Sequence, residues 1–187
     1  MRSAEFDREQ VLTNAMEVFR SKGYAKATMQ ELVAATGLHP GSLYGAFGNK
    51  RGLLLAAVDH YVESRRQQRR DLMAGCSPLA GIRAYLIHLS DELIQCTCLV
   101  TRTVMELDQD EEVRERLARV YQDLESDLAV ALRAAIEQGE LPAAEVATLS
   151  AYLLVGGQGL VTFAQCRRDP ALSLAVVEQL LAGLAAR

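Results

Sequence analysis

Apolar residues recur at helical spacing along nearly the whole chain, interrupted by glycine, proline and capping residues and never by strand-like alternation. Val11, Leu12, Ala15, Met16, Val18 and Phe19 share one face of a first helix over residues 7–21, which Gly23 should end. Thr28, with Glu31 three residues on, forms a capping box. Leu32, Val33 and Ala35 then give a second helix its apolar face, up to Gly37, a residue suited to the left-handed C-terminal cap. Pro40 stands where its missing N–H costs nothing, in the first turn of a third helix anchored by Leu43 and Phe47. Asn49 caps a fourth helix that carries Leu53, Leu54, Ala57, Val58, Tyr61 and Val62. It ends in Arg65, Arg66, Arg69 and Arg70, read as a solvated end whose charges suit the macrodipole.

Ser77-Pro78 opens a fifth helix to residue 94, and Thr97 is the expected cap of a short sixth helix ending near Leu107. Asp108-Gln109-Asp110 is a loop and cap before a long seventh helix over residues 111–138, stopped by Gly139-Glu140-Leu141-Pro142. Two more helices, over residues 143–164 and 170–185, flank Cys166-Arg167-Arg168-Asp169. The predicted fold class is all-α, with about nine helices. A three-helix helix-turn-helix domain occupies residues 1–50, a fourth helix over 50–73 connects, and residues 74–187 form a larger helical domain. Inside the eighth helix, Gly156-Gly157-Gln158-Gly159 costs about 1 kcal/mol per glycine relative to alanine. Close approach of another backbone is the expected compensation.

The two helices about Gly37 read as a helix-turn-helix whose second member presents His39, Gly41, Ser42, Tyr44 and Ala46 outward, toward double-stranded DNA. The net charge of −4 conceals an asymmetry: residues 1–70 carry 11 Lys/Arg against 7 Asp/Glu, and the remainder 9 against 17. A basic head on an acidic body suits phosphate binding at one end. Half of the residues are apolar, yet charges interrupt every long run, so no 18-residue membrane span is expected. The N-terminus lacks the apolar core of a signal peptide, which points to the cytoplasm and to mostly reduced cysteines. No motif calls for a cofactor or a metal, and none for an enzyme.

The run Phe19-x-x-x-Gly23-Tyr24-x-x-Ala27-Thr28, followed by Gly37-Leu38-x-x-Gly41-Ser42-Leu43-Tyr44-x-x-Phe47-Gly48-Asn49-Lys50, resembles the TetR family of bacterial transcriptional repressors over about the first 60 residues. The resemblance implies a homodimer, joined through the last two helices, that places each third helix in a major groove of a partly palindromic operator. Half-sites would then lie about 34–36 Å, or a multiple, apart. His39, Pro40, Gly41 and Ser42 open the recognition helix, Tyr44 matches the family's phosphate contact, and Lys50 and Thr28 should reach further phosphates. Arg2 and Arg8 are candidates for the flanking minor groove. Two positions depart from the pattern: Val33 stands where alanine is common, and Gly45 removes a side chain from the recognition helix.

The chemistry of the second domain is less defined. With Thr97 as cap, Cys98 would lie in the first turn of the sixth helix, where the dipole favours a thiolate, and Arg102 would pair with it. The Cys98-Leu99-Val100 and Met105-Glu106-Leu107 segments resemble a TetR subgroup that senses electrophiles through a cysteine at this place. Cys96 and Cys98 are therefore redox candidates, and an ordinary packed thiol is the competing reading. A zinc site there would have to borrow His88 and Cys166. Tyr85, His88, Leu89, Cys98, Arg102, Met105, Tyr121, Gln158 and Phe163 are the candidate lining of an effector pocket, against the alternative of plain bundle core. The regulator would be released from DNA by a small molecule, an electrophile or an oxidant. A constitutive DNA-binding protein without effector and a thiol oxidoreductase using Cys96 and Cys98 are the other readings.

Overall fold

A computed structural model of the chain describes residues 6–95 and 97–185. Nine helices make up these residues: α1 Arg8–Lys26, α2 Met29–Thr36, α3 Pro40–Phe47, α4 Lys50–Met73, α5 Pro78–Gln95, α6 Leu99–Glu106, α7 Glu111–Glu137, α8 Val146–Arg167 and α9 Pro170–Ala185. No strand occurs among the described residues.

Their ends are set by local chemistry. Asp7 caps α1 by accepting the Gln10 amide at 3.1 Å, and Gly23 breaks its helical path at φ 80°. Any Cβ at Gly23 would also collide with the Glu106 carboxylate, so conformation and space both require glycine there. The Thr28–Glu31 capping box of α2 forms in both directions, at 3.2 and 3.0 Å, and Gly37 closes the helix in the left-handed region at φ 70°. His39 caps α3, with Pro40 in its first turn. Asn49 Oδ1 accepts the Gly52 amide at 2.9 Å, and Asp110 Oδ1 accepts that of Val113 at 3.1 Å.

Three boundaries differ from the sequence expectation. Thr97 does not cap α6; Cys98 occupies that place and makes no side-chain capping bond. The carboxylate of Glu145, which accepts the Ala147 and Thr148 amides, starts α8 later than residue 143. That helix continues through Cys166 to Arg167, and Arg168 ends it in the left-handed conformation at φ 50°.

The helices gather into two compact units, each built from two stretches of the chain. One takes Met1–Arg66 with Thr97–Leu117, the other Gln67–Cys96 with Ala118–Arg187. In the first, Phe19, Leu32, Leu43, Leu53 and Leu54 are fully buried, and α1 packs on both α2 and α6. In the second, α5, α8 and α9 pack on one another around Ile82, Leu86, Leu132, Leu153, Leu160 and Val177.

Contrary to expectation, one helix among the described residues, α8, is long and apolar enough to cross a membrane. Its apolar character has another use here: Leu153, Leu160, Val161 and Ala164 are buried in the bundle. Its glycines also differ from the expected backbone contact. A Cβ at Gly156 would run into the Leu180 side chain of α9, one at Gly157 would make ordinary contact with Leu86, and one at Gly159 would meet nothing.

Candidate nucleic-acid interface

The short helices α2 and α3 are held by their caps and by one buried leucine each, Leu32 and Leu43. With Leu43 inward, α3 turns His39, Pro40, Gly41, Tyr44 and Gly45 to solvent, while Ser42 and Ala46 are half-buried. Tyr44 is 46% exposed and stands clear of the buried core. The exposed strip is unusually bare. A Cβ at Gly45 would meet nothing within 4 Å, and one at Gly41 only His39 Nδ1, at 3.6 Å.

His39 Nδ1 accepts the Gly41 amide at 3.3 Å, which makes this residue the N-cap of α3 as well as an exposed side chain at its entrance. Thr28 is exposed at the start of α2, its Oγ1 already accepting the Glu31 amide. Lys50, the expected phosphate grip, is engaged within the protein. Its Nζ donates to the Ala27 carbonyl at 2.7 Å and lies 4.5 Å from the Tyr24 ring centre, fastening the α1–α2 junction to the start of α4. Arg8 places its guanidinium 4.8 Å from the Phe47 ring centre, a tie from α1 to α3 that the helical periodicity did not reveal. Arg2 lies outside the described residues.

Behind this surface the first unit is laced with charge pairs. Arg51 forms a bidentate bridge to Asp110 at 2.7 and 2.8 Å and reaches Glu112 as well. The Arg51 hydrogen bond, then the Val113 amide, hold the Asp110 carboxyl down to about 2. Lys22 pairs with Glu31; that bond and the Thr28 amide lower the Glu31 carboxyl to about 2. Arg102 does not pair with Cys98. It donates to Glu106 at 2.8 Å and to the Arg20 carbonyl at 2.9 Å, while Glu106 accepts the Ala25 amide at 3.0 Å. Burial raises the Glu106 carboxyl, but the Ala25 and Arg102 bonds outweigh it and leave the group below its ordinary value.

Cys98 instead lies 3.8 Å from the Tyr61 hydroxyl. Burial, then the neighbouring thiol, pushes the Tyr61 phenol well up, and Arg20 and Arg65 flank its ring with guanidinium carbons 5.5 and 4.8 Å from the centre. The arginine run at the end of α4 is thus more than a solvated end. Arg65 lies on Tyr61, while buried Arg69 pairs with Asp127 and covers Tyr85.

The nine candidate pocket residues fall into two groups. Cys98, Arg102 and Met105 belong to the first unit, and Met105 is 77% exposed and lines nothing enclosed. Tyr85, His88, Leu89, Tyr121, Gln158 and Phe163 belong to the second, all half-buried; His88 Nε2 lies 3.7 Å from Glu92 Oε2. Cys96 lies outside the described residues, while Cys76, Cys98 and Cys166 are free thiols. Among the described residues, no three His, Cys, Asp or Glu side chains gather as a metal site would require.

Residues 11–57 match the family model of bacterial regulatory proteins of the tetR family, and residues 79–180 that of the tetracyclin repressor-like C-terminal domain. The chain is similar to the uncharacterized HTH-type transcriptional regulator YezE of Bacillus subtilis (strain 168), 30% identical over 176 residues that cover 90% of this chain and 91% of that protein. It is 41% identical over 58 residues to the HTH-type transcriptional repressor ComR of Escherichia coli (strain K12), covering 31% of this chain and 28% of that one. Among solved structures it resembles a cysteine mutant of the TetR family transcriptional regulator CifR complexed with 26-bp double-strand operator DNA. That likeness has a TM-score of 0.85 and 30% identity, over 97% of this chain and 98% of the other. The capped α2–α3 pair, the bare exposed face of α3 and these two matched domains lead to one conclusion: the chain belongs to the TetR family and is a DNA-binding transcriptional regulator.

Proposed function

We propose that the chain is a homodimeric cytoplasmic repressor without enzymatic activity, which holds a partly palindromic operator through α3 of each subunit and releases it when an effector acts on the larger helical domain. The observation that carries the DNA half is the exposed face of α3, where His39, Pro40, Gly41 and Tyr44 stand clear of the core. His39, Pro40, Gly41 and Ser42 meet base edges, Pro40 by apolar contact with a thymine methyl. Tyr44 gives its hydroxyl to a phosphate. Thr28 accepts the Glu31 amide with its oxygen and so keeps its own proton for a second phosphate. Lys50 contributes by fixing the α1–α2 junction.

Pairing through α8 and α9 is favoured by what they leave uncovered. Val155 is 72% exposed, and Tyr152 and Leu174 also present apolar surface. Release is a population shift: the effector binds best to a dimer whose recognition helices are wrongly spaced for the operator. Tyr85, His88, Leu89, Tyr121, Gln158 and Phe163 remain candidates for a small-molecule site, and Cys98 for an oxidant or electrophile, beside its reading as a packed thiol.

The test is selection from genomic DNA fragments with the purified protein, followed by operator titration with small molecules, electrophiles and oxidants on the protein and on Cys98→Ser. A selected palindrome bound by two chains and released by one effector class is expected. Binding indifferent to sequence would overturn the repressor reading in favour of a constitutive DNA-binding protein. Release by oxidant that survives in Cys98→Ser would exclude this thiol as the sensor.

A further inference from the structure

His39 does two things at once, and the first fixes the chemistry of the second. Its Nδ1 accepts the Gly41 amide, so in this conformation that nitrogen carries no proton. A ring that accepts at Nδ1 is the neutral tautomer with its proton on Nε2, because the doubly protonated ring has no lone pair to offer. The cap therefore turns the outer edge of an exposed histidine into a hydrogen-bond donor.

The neighbouring positions leave little competition. Pro40 has no polar side-chain atom, Gly41 and Gly45 have no side chain, and Ser42 is half-buried. Of the exposed residues between 39 and 47, only His39 and Tyr44 carry polar side chains. His39 sits at the N-terminal end, the end of a recognition helix that reaches base edges.

Resting on the DNA-binding mode proposed above, we infer that His39 is a specificity-determining residue that donates from Nε2 to the major-groove edge of a guanine, at one position in each operator half-site. Guanine offers two adjacent acceptors, O6 and N7. Adenine sets its N7 beside an amino donor, thymine has a single carbonyl beside a methyl, and cytosine presents only a donor, which opposes another donor. The order at that position is guanine first and cytosine last, with a preference of about tenfold, the low end of what one mismatched base pair costs.

The experiment uses the full-length protein and the selected palindrome, with each half-site position replaced in turn by all four bases and affinities read by fluorescence anisotropy. Two variants separate reading from capping. His39→Ala removes the ring and the cap together, whereas His39→Asp removes every side-chain donor and keeps a side chain that caps helices well. Wild type should disfavour cytosine about tenfold at one position that prefers guanine. Both variants should abolish the guanine preference there and leave the preferences at the other positions unchanged, with thermal melting of His39→Asp confirming that it is folded. A wild-type palindrome with no such position, or one whose guanine preference persists in His39→Asp, overturns this inference alone. If no palindrome is selected at all, the proposed function fails and the inference with it.

Discussion

Gly45 offers a direct measure of how closely α3 lies against DNA. Glycine inside a helix is less favourable than alanine by about 1 kcal/mol. The usual reasons for keeping it do not apply within the protein. Gly45 has no left-handed φ, and a Cβ built there meets nothing within 4 Å. Gly45→Ala should therefore stabilise the protein, raising Tm by about 2–4 °C for a chain of this size, as read by differential scanning calorimetry. The same methyl would protrude from the face that approaches the groove. A methyl forced into a closely packed contact costs about 1–3 kcal/mol, which lowers operator affinity about 5- to 150-fold. Stability and binding should thus move in opposite directions on one substitution. An unchanged or improved affinity in the stabilised variant would show that DNA does not approach this face, and would refute the reasoning from the bare strip.

Three further outcomes can be checked with the same protein. Tyr44→Phe should leave Tm unchanged, because the ring is exposed, yet lower operator affinity about 20-fold, within the worth of a hydrogen bond to a charged group. Thr28→Ala removes one half of the α2 capping box and should cost about 1 kcal/mol in denaturant unfolding. The Glu31 and Asp110 carboxyls, ordinarily near 4.5 and 3.8, are both held at about 2 by their basic partners, so the stability they contribute is complete above about pH 5 and disappears as pH falls through 2. Glu31→Gln and Asp110→Asn should each flatten the acid limb of a stability–pH curve, and an unaltered slope in both would contradict the ion pairs.

How much was legible in the sequence depended on the range of the interaction that decided each feature. The capping box at Thr28, the left-handed stop at Gly37, the proline entry at Pro40 and the Asp110 cap each depend on residues within four positions of one another, and all appear as expected. Partnerships across the chain were hidden. Nothing in the spacing of Lys50 announces that the Ala27 carbonyl, 23 residues away, takes its ammonium group. Cys98 and Arg102 stand four apart, a spacing that would pair them on a regular helix. Yet Cys98 lies just outside α6, and Glu106 and the end of α1 engage the guanidinium instead. Helix periodicity tells which face is buried. It does not tell which distant carbonyl or carboxylate will claim a long charged side chain.

That same commitment of charged side chains bears on how the operator is held. Residues 6–50 contain five cations: Arg8, Arg20, Lys22, Lys26 and Lys50. Arg20 donates to Glu17 and the Thr97 carbonyl, Lys22 is paired with Glu31, and Lys50 is tied to Ala27. Exposed Arg8 and Lys26 remain to meet phosphates, the former lying over Phe47. Phosphate contact must then come largely from hydroxyls and helix-end amides, which release no counterions. With two cations from each subunit of the proposed dimer, the plot of log affinity against log salt should have a slope of about −4. Titrating the operator complex between about 50 and 200 mM salt, the interval in which counterion release is most telling, measures that slope directly. A value near −9 would mean that Arg20, Lys22 and Lys50 abandon their internal partners for phosphate on binding. The ion pairs seen in the free protein would then be a resting state that DNA takes apart.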